Sequence, residues 1–516
     1  MKKILAILTL GLCFVFVANA QQTRHICGTT TADQLQYEAR LDANIAASKN
    51  KTQASDRSAI QYVPIHFHLV GDANGDGKIK ERFVLDQLCS LNDAYAPMDI
   101  RFYLKPHPTY GLFDYSINNN NVYNNQNNEI LMKSRRNQNA LNVYIVEATI
   151  SAEVAAYYSI PNDWVVSRKS YTNGDDNNAT LPHEIGHFFS LWHTFLGFEV
   201  NSFTTTSPGW PIAPVISPYD GLGTIYTEYQ DASNCATAAD KICDTPPDYN
   251  FGSLVSNCAT YTAGAKDPGG TLVNPMENNY MGYFFECNYL FTPGQQSAIL
   301  ADRETGDRNY LDNNFTPAAT EITTPPTDQF LVSPASGETV PYFDEVLLEW
   351  NAVPGATYYL LEMDYLSTYN TANFRSFIVS GTSKLFTDLD DNRQYFWRVR
   401  PFNEYVTCAQ ARQRSFKTST VSGVKEIEAL SALMVAPNPV SGDAAVRLFV
   451  NATENFEASV LILDATGRQV RSLSGTKFSA GETTLDLPTT GLANGLYFVA
   501  IENATGRAVR KMTILR

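Results

Sequence analysis

The feature that most constrains this chain is the stretch from His183 to His193, which reads His-Glu-Ile-Gly-His-Phe-Phe-Ser-Leu-Trp-His. His183 and His187 are four residues apart, so on a helix they share one face, one turn apart. His193 cannot share that face if the helix continues, so the spacing predicts that the chain turns after about Phe189. Three imidazoles brought together in this way predict a zinc site.

Three histidine ligands leave the fourth zinc position open for water, which is typical of a catalytic metal. Glu184 follows the first histidine and is the candidate general base for that water. The alternative is a helix that carries surface histidines. Three of the chain's 7 histidines fall in this one stretch, which favours the metal site.

Length, composition and charge exclude several classes of protein. A chain of 516 residues is too long for one ordinary core, so three or four domains are expected. Its 44% hydrophobic and 18% charged residues are typical of globular and not of disordered chains. The net charge of -15 and the absence of a long basic run argue against a nucleic-acid partner.

Residues 1–20 are typical of a secretory signal peptide. Lys2 and Lys3 precede an apolar run from Ile4 to Val17, and Ala18-Asn19-Ala20 fits the small-x-small cleavage pattern. The alternative, a membrane anchor, is disfavoured because the run is short for a bilayer span. We therefore expect export and no transmembrane segment in the mature chain.

The pattern along the chain predicts an α+β region followed by β-rich segments. The region 118–139 is rich in asparagine and is expected to form loops or frayed helix, and 316–326 resembles a linker. Apolar periodicity predicts strands at Tyr62–Val70, Ile100–Leu104, Leu141–Val146 and Trp164–Ser167, and helices at Glu81–Tyr95, through His183 and from Thr292.

The long histidine motif resembles the metzincin signature HExxHxxGxxH, and further stretches resemble the pappalysin branch of that family. The likeness covers about residues 57–305, with its motifs in the family's order. It implies a metzincin-like catalytic domain at 58–315 and a secreted zinc metalloendopeptidase that acts on proteins or peptides. The other matching stretches are Thr180–Pro182, Asp244–Pro247, Asn279–Tyr283 and Phe291–Gln295.

By this resemblance Met281 is the Met-turn residue under the metal, and Tyr283 stabilises the oxyanion of the tetrahedral intermediate. The alternatives are an ordinary core methionine and a packed aromatic ring. Ser190 stands where the family has a glycine, which permits the left-handed backbone that ends the helix. This departure keeps a rival open: a catalytically inactive metzincin fold used as a surface adhesin or binding protein.

Residues 24–29 resemble the short pro-segment motif of bacterial pappalysins, in which a cysteine thiolate takes the open zinc position. This implies a pro-segment at 21–57, a cysteine switch at Cys27, and activation by cleavage near Asp56-Arg57. The alternative is a disulfide between Cys27 and Cys89 or Cys408.

Two places are candidates for structural Ca²⁺. Asp72, Asn74 and Asp76 resemble the start of a calcium loop, but its twelfth position is Phe83 and not glutamate, so a tight polar turn is the alternative. Family members also carry calcium near the Asp-Thr-Pro-Pro stretch, which makes Asp244 a candidate.

Four cysteines flank these loops: Cys235, Cys243, Cys258 and Cys287. They are disulfide candidates, and the sequence does not choose among their three pairings. Glu286 is the acidic residue between Met281 and Cys287. By the resemblance it is the candidate for an arginine preference on the primed side, and a solvated side chain is the alternative.

Two all-β, sandwich-like domains are expected after the linker. Residues 327–418 resemble a fibronectin type III-like domain. Residues 425–516 resemble the type IX secretion sorting domain of Bacteroidetes, which implies the type IX machinery as a partner, passage through the outer membrane, and a secreted or surface-attached product. The alternative is a second sandwich used for adhesion. The sorting resemblance rests on Pro437-Asn438-Pro439, Asp464–Arg468, Gly495–Phe498 and the basic strand Arg507–Arg516.

Overall fold

A computed structural model gives the fold of the chain. It describes residues 26–49, 60–151, 154–173, 179–199, 203, 212–217, 224–253, 260–262, 264–284, 289–421, 427–441, 445–504 and 506–515. They form two compact units. The first contains the described residues up to Ile322, with Gly355–Thr357 and Phe402–Ala409, and the second contains Thr323–Pro354, Tyr358–Pro401 and Gln410–Arg516.

One sheet and seven α-helices organise the described part of the first unit. The strands are β1 (Ile26–Cys27), β2 (Gln61–Leu69), β3 (Ile100–Leu104), β4 (Leu141–Val146), β5 (Val154–Ser159) and β6 (Trp164–Arg168). The helices are α1 (Thr31–Leu35), α2 (Glu38–Lys49), α3 (Glu81–Tyr95), α4 (Asn120–Asn125), α5 (Glu129–Arg135), α6 (Thr180–Phe188) and α7 (Pro293–Arg303).

The sheet has the order β1-β5-β6-β4-β2-β3. β5 runs antiparallel to β6, whereas the other neighbouring strands are parallel. All six residues of β4 are buried, as expected for a strand covered on both faces. β5 was not predicted from the sequence. It pairs antiparallel with β6 on one side and in parallel with β1 on the other.

The asparagine-rich region forms two short helices because asparagine side chains cap them. Asn119 Oδ1 accepts from the backbone N–H groups of Asn121 and Val122, and Asn128 Oδ1 accepts from that of Leu131. Each cap satisfies N–H groups that a helix start leaves unpaired. The region was expected to form loops or frayed helix, and it forms the two capped helices α4 and α5 instead.

Helices α1 and α2 bury more of their surface than the sequence indicates. Thr30 starts α1 with a capping box to Asp33. The buried side chains recur every three or four residues, which is a helical face, but three of the five are polar. Apolar periodicity therefore does not reveal this face, whose members are Thr31, Gln34, Tyr37, Leu41 and Asn44.

Two disulfides lie in the first unit, Cys89–Cys408 and Cys235–Cys243. Cys27 is a free thiol. The alternative pairing of Cys27 with Cys89 or Cys408 is therefore wrong, because those two cysteines bond to each other.

The second unit is all-β apart from the short helix α8 (Thr327–Phe330). Its first part has sheets β12-β9-β7 and β11-β10-β13-β14-β8. The strands are β7 (Leu331–Ser333), β8 (Glu338–Val340), β9 (Val346–Trp350), β10 (Tyr358–Asp364), β11 (Arg375–Val379), β12 (Ser383–Phe386), β13 (Gln394–Phe402) and β14 (Arg412–Thr418). Trp350 of one sheet packs on Tyr359 of the other, with ring centroids 5.6 Å apart.

The last part repeats a two-sheet arrangement, with orders β15-β17-β20 and β16-β22-β21-β18-β19. The strands are β15 (Leu430–Ala436), β16 (Val440–Ser441), β17 (Val446–Ala452), β18 (Phe456–Asp464), β19 (Gln469–Phe478), β20 (Gly481–Leu487), β21 (Gly495–Glu502) and β22 (Arg507–Leu515). Leu448, Ile462 and Val499 belong to one buried cluster shared by both sheets. The predicted fold class, an α+β domain followed by two all-β domains, is confirmed.

None of the helices in the described part of the chain has the length and apolar character needed to cross a membrane.

Candidate metal centre

Helix α6 carries the first two histidines in a fully packed setting. Every residue from Leu181 to Phe188 is buried. The helix ends at Phe188, and Ser190 follows with φ +70. The backbone N–H of Leu191 then donates to Gly186 O (3.0 Å), which closes the end of the helix as a left-handed cap does. The predicted turn after Phe189 is confirmed, with serine in the left-handed conformation.

The turn brings the three histidines to one point. His193 Nε2 lies 3.2 Å from His183 Nε2 and 3.1 Å from His187 Nε2. Nitrogens about 2.0–2.1 Å from a tetrahedral zinc would lie roughly 3.4 Å apart. The three histidines and Cys27 Sγ offer ligand atoms within 4.8 Å of one another. The donor set therefore fits a zinc ion.

The Nδ1 atom of each histidine ring also has a polar partner. His183 Nδ1 donates to Tyr280 O (2.7 Å), and His187 Nδ1 donates to Leu191 O (2.8 Å). Nδ1–H donation leaves the Nε2 lone pair free to point at a metal. His193 Nδ1 lies 3.1 Å from Gln34 Nε2 and 3.5 Å from Glu199 Oε1.

Burial keeps these rings neutral, the form that binds metal. It lowers the pKa of His183 to about 4. It also lowers the pKa of His187 and His193 well below their usual value, with the neighbouring rings acting in the same direction.

Glu184 and Cys27 face each other across the open side of the histidines. The Cys27 thiol donates to Glu184 Oε2 at 3.4 Å, and Thr29 N donates to the same sulfur at 3.3 Å. Burial raises the pKa of Glu184 to about 8. Burial and then the Glu184 carboxylate raise the pKa of the Cys27 thiol well above its usual value. A metal cation at the nearby nitrogens would act in the opposite direction on the thiol.

Met281 and Tyr283 lie on two sides of the same centre. Met281 is fully buried, and a Cβ on Gly186 would lie 2.4 Å from its sulfur, so the glycine lets the methionine pack against α6. The Tyr283 hydroxyl accepts from Cys27 N (2.9 Å) and donates to Cys27 O (3.4 Å). Tyr283 thus reaches the backbone of the segment that covers the site.

That segment is held as an added strand. β1 pairs in parallel with β5, with Ile26 opposite Val154 and Cys27 opposite Ala156. Gly28 N donates to Ala156 O at 2.7 Å. The contacts of this strand with β5 are mainly between backbone groups, of the kind any extended peptide can make.

The candidate calcium residues are bound within the protein. Both Asp244 carboxylate oxygens accept hydrogen bonds at 2.7 Å at the start of α7, one from Thr292 Oγ1 and the other from Gly294 N. In the earlier loop Asp72 Oδ1 accepts from the N–H groups of Asn74 (2.8 Å) and Asp76 (3.0 Å). Asp244 therefore caps the start of α7, and Asp72 closes a tight polar turn.

Two buried carboxylates were missed by sequence reasoning. Glu228 is 1% exposed, and neither of its carboxylate oxygens has a hydrogen-bond partner among the described residues. Burial and the Asp240 carboxylate raise the pKa of Glu228 to about 9. Asp240 is 0% exposed, and its pKa is also raised, chiefly by burial. The sequence shows acidic residues here, but it does not show which of them are enclosed.

Three candidate residues lie outside the described residues: Cys258, Glu286 and Cys287. The signal at 1–20 and the candidate cleavage site Asp56-Arg57 lie outside them as well.

The C-terminal part of the chain matches a known protein family. Residues 434–515 match the family described as "Secretion system C-terminal sorting domain". The chain carries a sorting domain. This indicates type IX secretion in a Bacteroidetes-type bacterium and confirms the prediction of export.

Curated relatives cover about half of the chain. An extracellular metalloprotease of Sordaria macrospora is 26% identical over 297 residues, which are 53% of this chain and 86% of that protein. An extracellular metalloprotease of Neurospora crassa is 28% identical over 259 residues, 46% of this chain and 73% of that protein. The resemblance to metalloproteases predicted from the motifs is thereby confirmed.

Solved structures give further matches. Tannerella forsythia promirolysin has 17% identity, covers 56% of this chain and 97% of its own, and has a TM-score of 0.36. The fibronectin type III domain of the human collagen alpha-1(XX) chain has 20% identity, covers 22% of this chain and 96% of its own, and has a TM-score of 0.16.

Proposed function

We propose that this protein is a secreted zinc metalloendopeptidase held latent by the strand that carries Cys27. The observation that carries the proposal is the convergence of three neutral histidine nitrogens beside the buried Glu184 carboxylate. His183, His187 and His193 would hold the metal. A Zn²⁺ ion there would polarise the scissile carbonyl and acidify a water molecule.

The residues around that position have distinct proposed roles. Glu184 would take the proton of the water and return it to the leaving amine. The Tyr283 hydroxyl, which already contacts the backbone N–H and carbonyl of Cys27, would donate to the developing oxyanion. Met281 would support α6 from below, next to Gly186.

The latency proposal follows from the place of the Cys27 strand. Its thiol occupies the open side of the histidines, and its backbone occupies the β5 edge. An extended substrate would use the same edge. We therefore propose that Cys27 and substrate exclude each other.

We also propose a domain order: a signal at 1–20, a pro-segment at 21–57, a catalytic domain at 58–315, a linker at 316–326, a fibronectin type III-like domain at 327–418 and the sorting domain at 425–516. A preference for arginine on the primed side stays a sequence-based prediction. The inactive alternative rested on Ser190 in place of the family's glycine. Because Ser190 adopts the left-handed conformation that the turn requires, it does not favour that alternative.

The test uses the Cys27→Ala chain with casein or gelatin as substrate. We expect about one zinc per chain and digestion that a chelator stops. Glu184→Gln should keep the zinc and lower the rate by about 10²–10⁴-fold. Zinc binding with no digestion of any protein substrate would contradict the protease, and absence of zinc would contradict the metal site.

We propose further that Glu228 and Asp240 bind a structural Ca²⁺, because a buried carboxylate without partners needs a cation or a proton. Calcium should raise the melting temperature of the native chain, and Glu228→Gln should remove most of that increase. Asp72→Asn, in the polar turn, is the matched control. If Glu228→Gln leaves the calcium response intact, this assignment fails.

A further inference from the structure

The third histidine differs from the first two in what its outer nitrogen contacts. His183 Nδ1 and His187 Nδ1 each donate to a backbone carbonyl oxygen. In the described part of the chain, the two polar groups beside His193 Nδ1 are Gln34 Nε2 at 3.1 Å and Glu199 Oε1 at 3.5 Å. His193 therefore depends on a side chain for the contact that fixes its tautomer.

The amide of Gln34 cannot accept a proton from the His193 ring. Gln34 Oε1 accepts from His193 N at 2.7 Å, which fixes the orientation of the amide. The nitrogen at its other end is a donor only, and it donates to Glu199 Oε1 (3.3 Å) and Thr29 O (3.5 Å). A His193 ring that accepted from it would carry its own proton on Nε2 and could not bind a metal there. In the metal-binding tautomer, Glu199 Oε1 is therefore the acceptor for the Nδ1–H.

Ring stacking does not decide which edge of His193 faces the metal position. The ring stacks on Phe195, with centroids 4.5 Å apart and planes 12° from parallel. This contact fixes the plane of the imidazole, but a ring turned over within that plane would stack equally well. In the turned ring a carbon atom would replace Nε2 beside the other two histidines. A hydrogen bond from Nδ1 is the contact that selects the correct orientation.

Glu199 is held next to His193 by the loop that follows the third ligand. A turn closed by Leu196 N and His193 O (3.1 Å) starts this loop, and Gly197 N donates to Glu199 Oε2 at 2.9 Å. The Glu199 side chain is 12% exposed and that of His193 is 0% exposed. All of these residues lie within the proposed catalytic domain, so the pair does not depend on the pro-segment.

We propose that Glu199 is the positioning residue of the third metal ligand: its carboxylate accepts the Nδ1–H of His193 and so presents Nε2 to the metal. The inference rests on the proposed metal site. The separation of 3.5 Å is long for a hydrogen bond, and Gln34, which donates to the same oxygen, shares that acceptor in the uncleaved chain. Glu199 acts through His193 and touches neither metal nor substrate.

The first experiment measures zinc affinity by competition with a zinc-binding dye. It uses the full chain carrying Glu184→Gln, to prevent self-digestion, and Cys27→Ala, so that no thiol adds a fourth ligand. Glu199→Ala should weaken zinc binding by about 10–100-fold, the usual loss when a partner that orients a metal ligand is removed. Glu199→Gln keeps an acceptor oxygen and should lose less. Equal affinities of the parent and Glu199→Ala chains would overturn the proposal.

A rescue variant separates positioning from general support of the loop. Gln34→Glu puts a carboxylate oxygen where the amide nitrogen lies 3.1 Å from His193 Nδ1. Added to Glu199→Ala, it should recover most of the lost zinc affinity. Gln34→Glu alone is the matched control, because it adds the same charge where Nδ1 already has an acceptor. An equal gain in both backgrounds would show simple attraction of the cation and overturn the positioning role.

A second control removes a carboxylate elsewhere in the same unit. Glu129 is exposed and pairs with Lys133 at 3.1 Å. Glu129→Ala should leave zinc affinity unchanged. A loss equal to that of Glu199→Ala would show that zinc binding responds to the net charge of the chain, which would also overturn the proposal.

The second experiment observes the Nδ1 protons directly, by NMR of the same chain loaded with Co²⁺, which shifts the signals of its ligands away from the rest. Three solvent-exchangeable signals are expected, one from each histidine ligand. In Glu199→Ala one of them should exchange with water faster than the other two, and Gln34→Glu should slow it again. Unchanged exchange of all three in Glu199→Ala would show that another group accepts the proton and would overturn the proposal.

Neither experiment requires proteolysis, so their outcomes do not depend on whether the protein is an active protease. Absence of zinc from the parent chain would contradict the metal site itself. Zinc bound equally by the parent and Glu199→Ala chains would leave the metal site intact and overturn only the role of Glu199.

Discussion

The N-terminal segment contacts the metal centre on two sides, and the two contacts differ in kind. On the open side, residues 26–29 contribute a thiol and a run of backbone hydrogen bonds to β5. On the closed side, α1, α2 and Tyr37 between them contribute five buried side chains, three of which bond to the turn between the ligands.

This difference separates what a substrate can replace from what it cannot. A peptide in extended conformation can supply the backbone contacts of the open side, and water can replace the thiol. The closed side depends on particular side chains, such as the Asn44 amide and the Tyr37 hydroxyl, at fixed positions. We therefore expect the strand of the open side to open more readily than the helices of the closed side.

Metal removal should give the largest difference between the two sides. Without a metal the Cys27 thiol keeps only its hydrogen bonds to Glu184 and Thr29, so the strand, held by its backbone pairing with β5, should open more often. Proteolysis should stop, and the rate of Cys27 alkylation should rise by at least about tenfold. Amide exchange should show that α2 keeps most of its protection. Equal loss of protection in β1 and α2 would show that the two sides are one cooperative unit.

Substitution of the thiol should have a smaller effect, confined to the open side. Cys27→Ala removes the competing ligand but leaves the backbone pairing with β5. We expect the full chain to gain roughly tenfold in initial rate of proteolysis, because part of the latency is lost. Thr29→Val is the control, since it keeps the thiol and removes a hydroxyl that accepts from Tyr158 N (3.1 Å) and donates to Tyr158 O (3.5 Å). An unchanged rate for Cys27→Ala would assign latency to the backbone pairing alone.

The metal ligands could be predicted from the sequence because covalent spacing fixes their geometry. Two histidines four residues apart must share a helical face, and the third requires a turn, which Ser190 makes. The strands and helix with apolar periodicity were predicted for the same reason, and Glu81–Tyr95 forms as expected.

The closed side could not be predicted, because its signal is not apolar. Gln34 and Asn44 are buried through hydrogen bonds to residues more than 140 positions away, and local periodicity carries no information on such partners. Glu228 gives the same lesson: an enclosed acid and a solvated acid are identical in the sequence. Polar residues that alternate with a tyrosine or leucine at a spacing of three and four positions are the sequence signal that could have predicted this buried face.

The smallest predicted effect is that of Tyr37→Phe on the closed side. It removes one hydroxyl that donates to Leu191 O (3.1 Å) and lies 3.3 Å from His187 Nδ1, while His187 Nδ1 still donates to that carbonyl (2.8 Å). No buried acceptor is left unpaired, so the expected loss is about 0.5–1.5 kcal/mol. In calorimetry the zinc-dependent transition should fall by roughly 2–4 °C per kcal/mol. Tyr359→Phe is the matched control, because its hydroxyl accepts from Val353 N (2.9 Å) in the second unit and should not shift that transition. If Tyr37→Phe also leaves the transition unchanged, its hydroxyl adds nothing to the closed side, which would then be held by Gln34, Arg40 and Asn44.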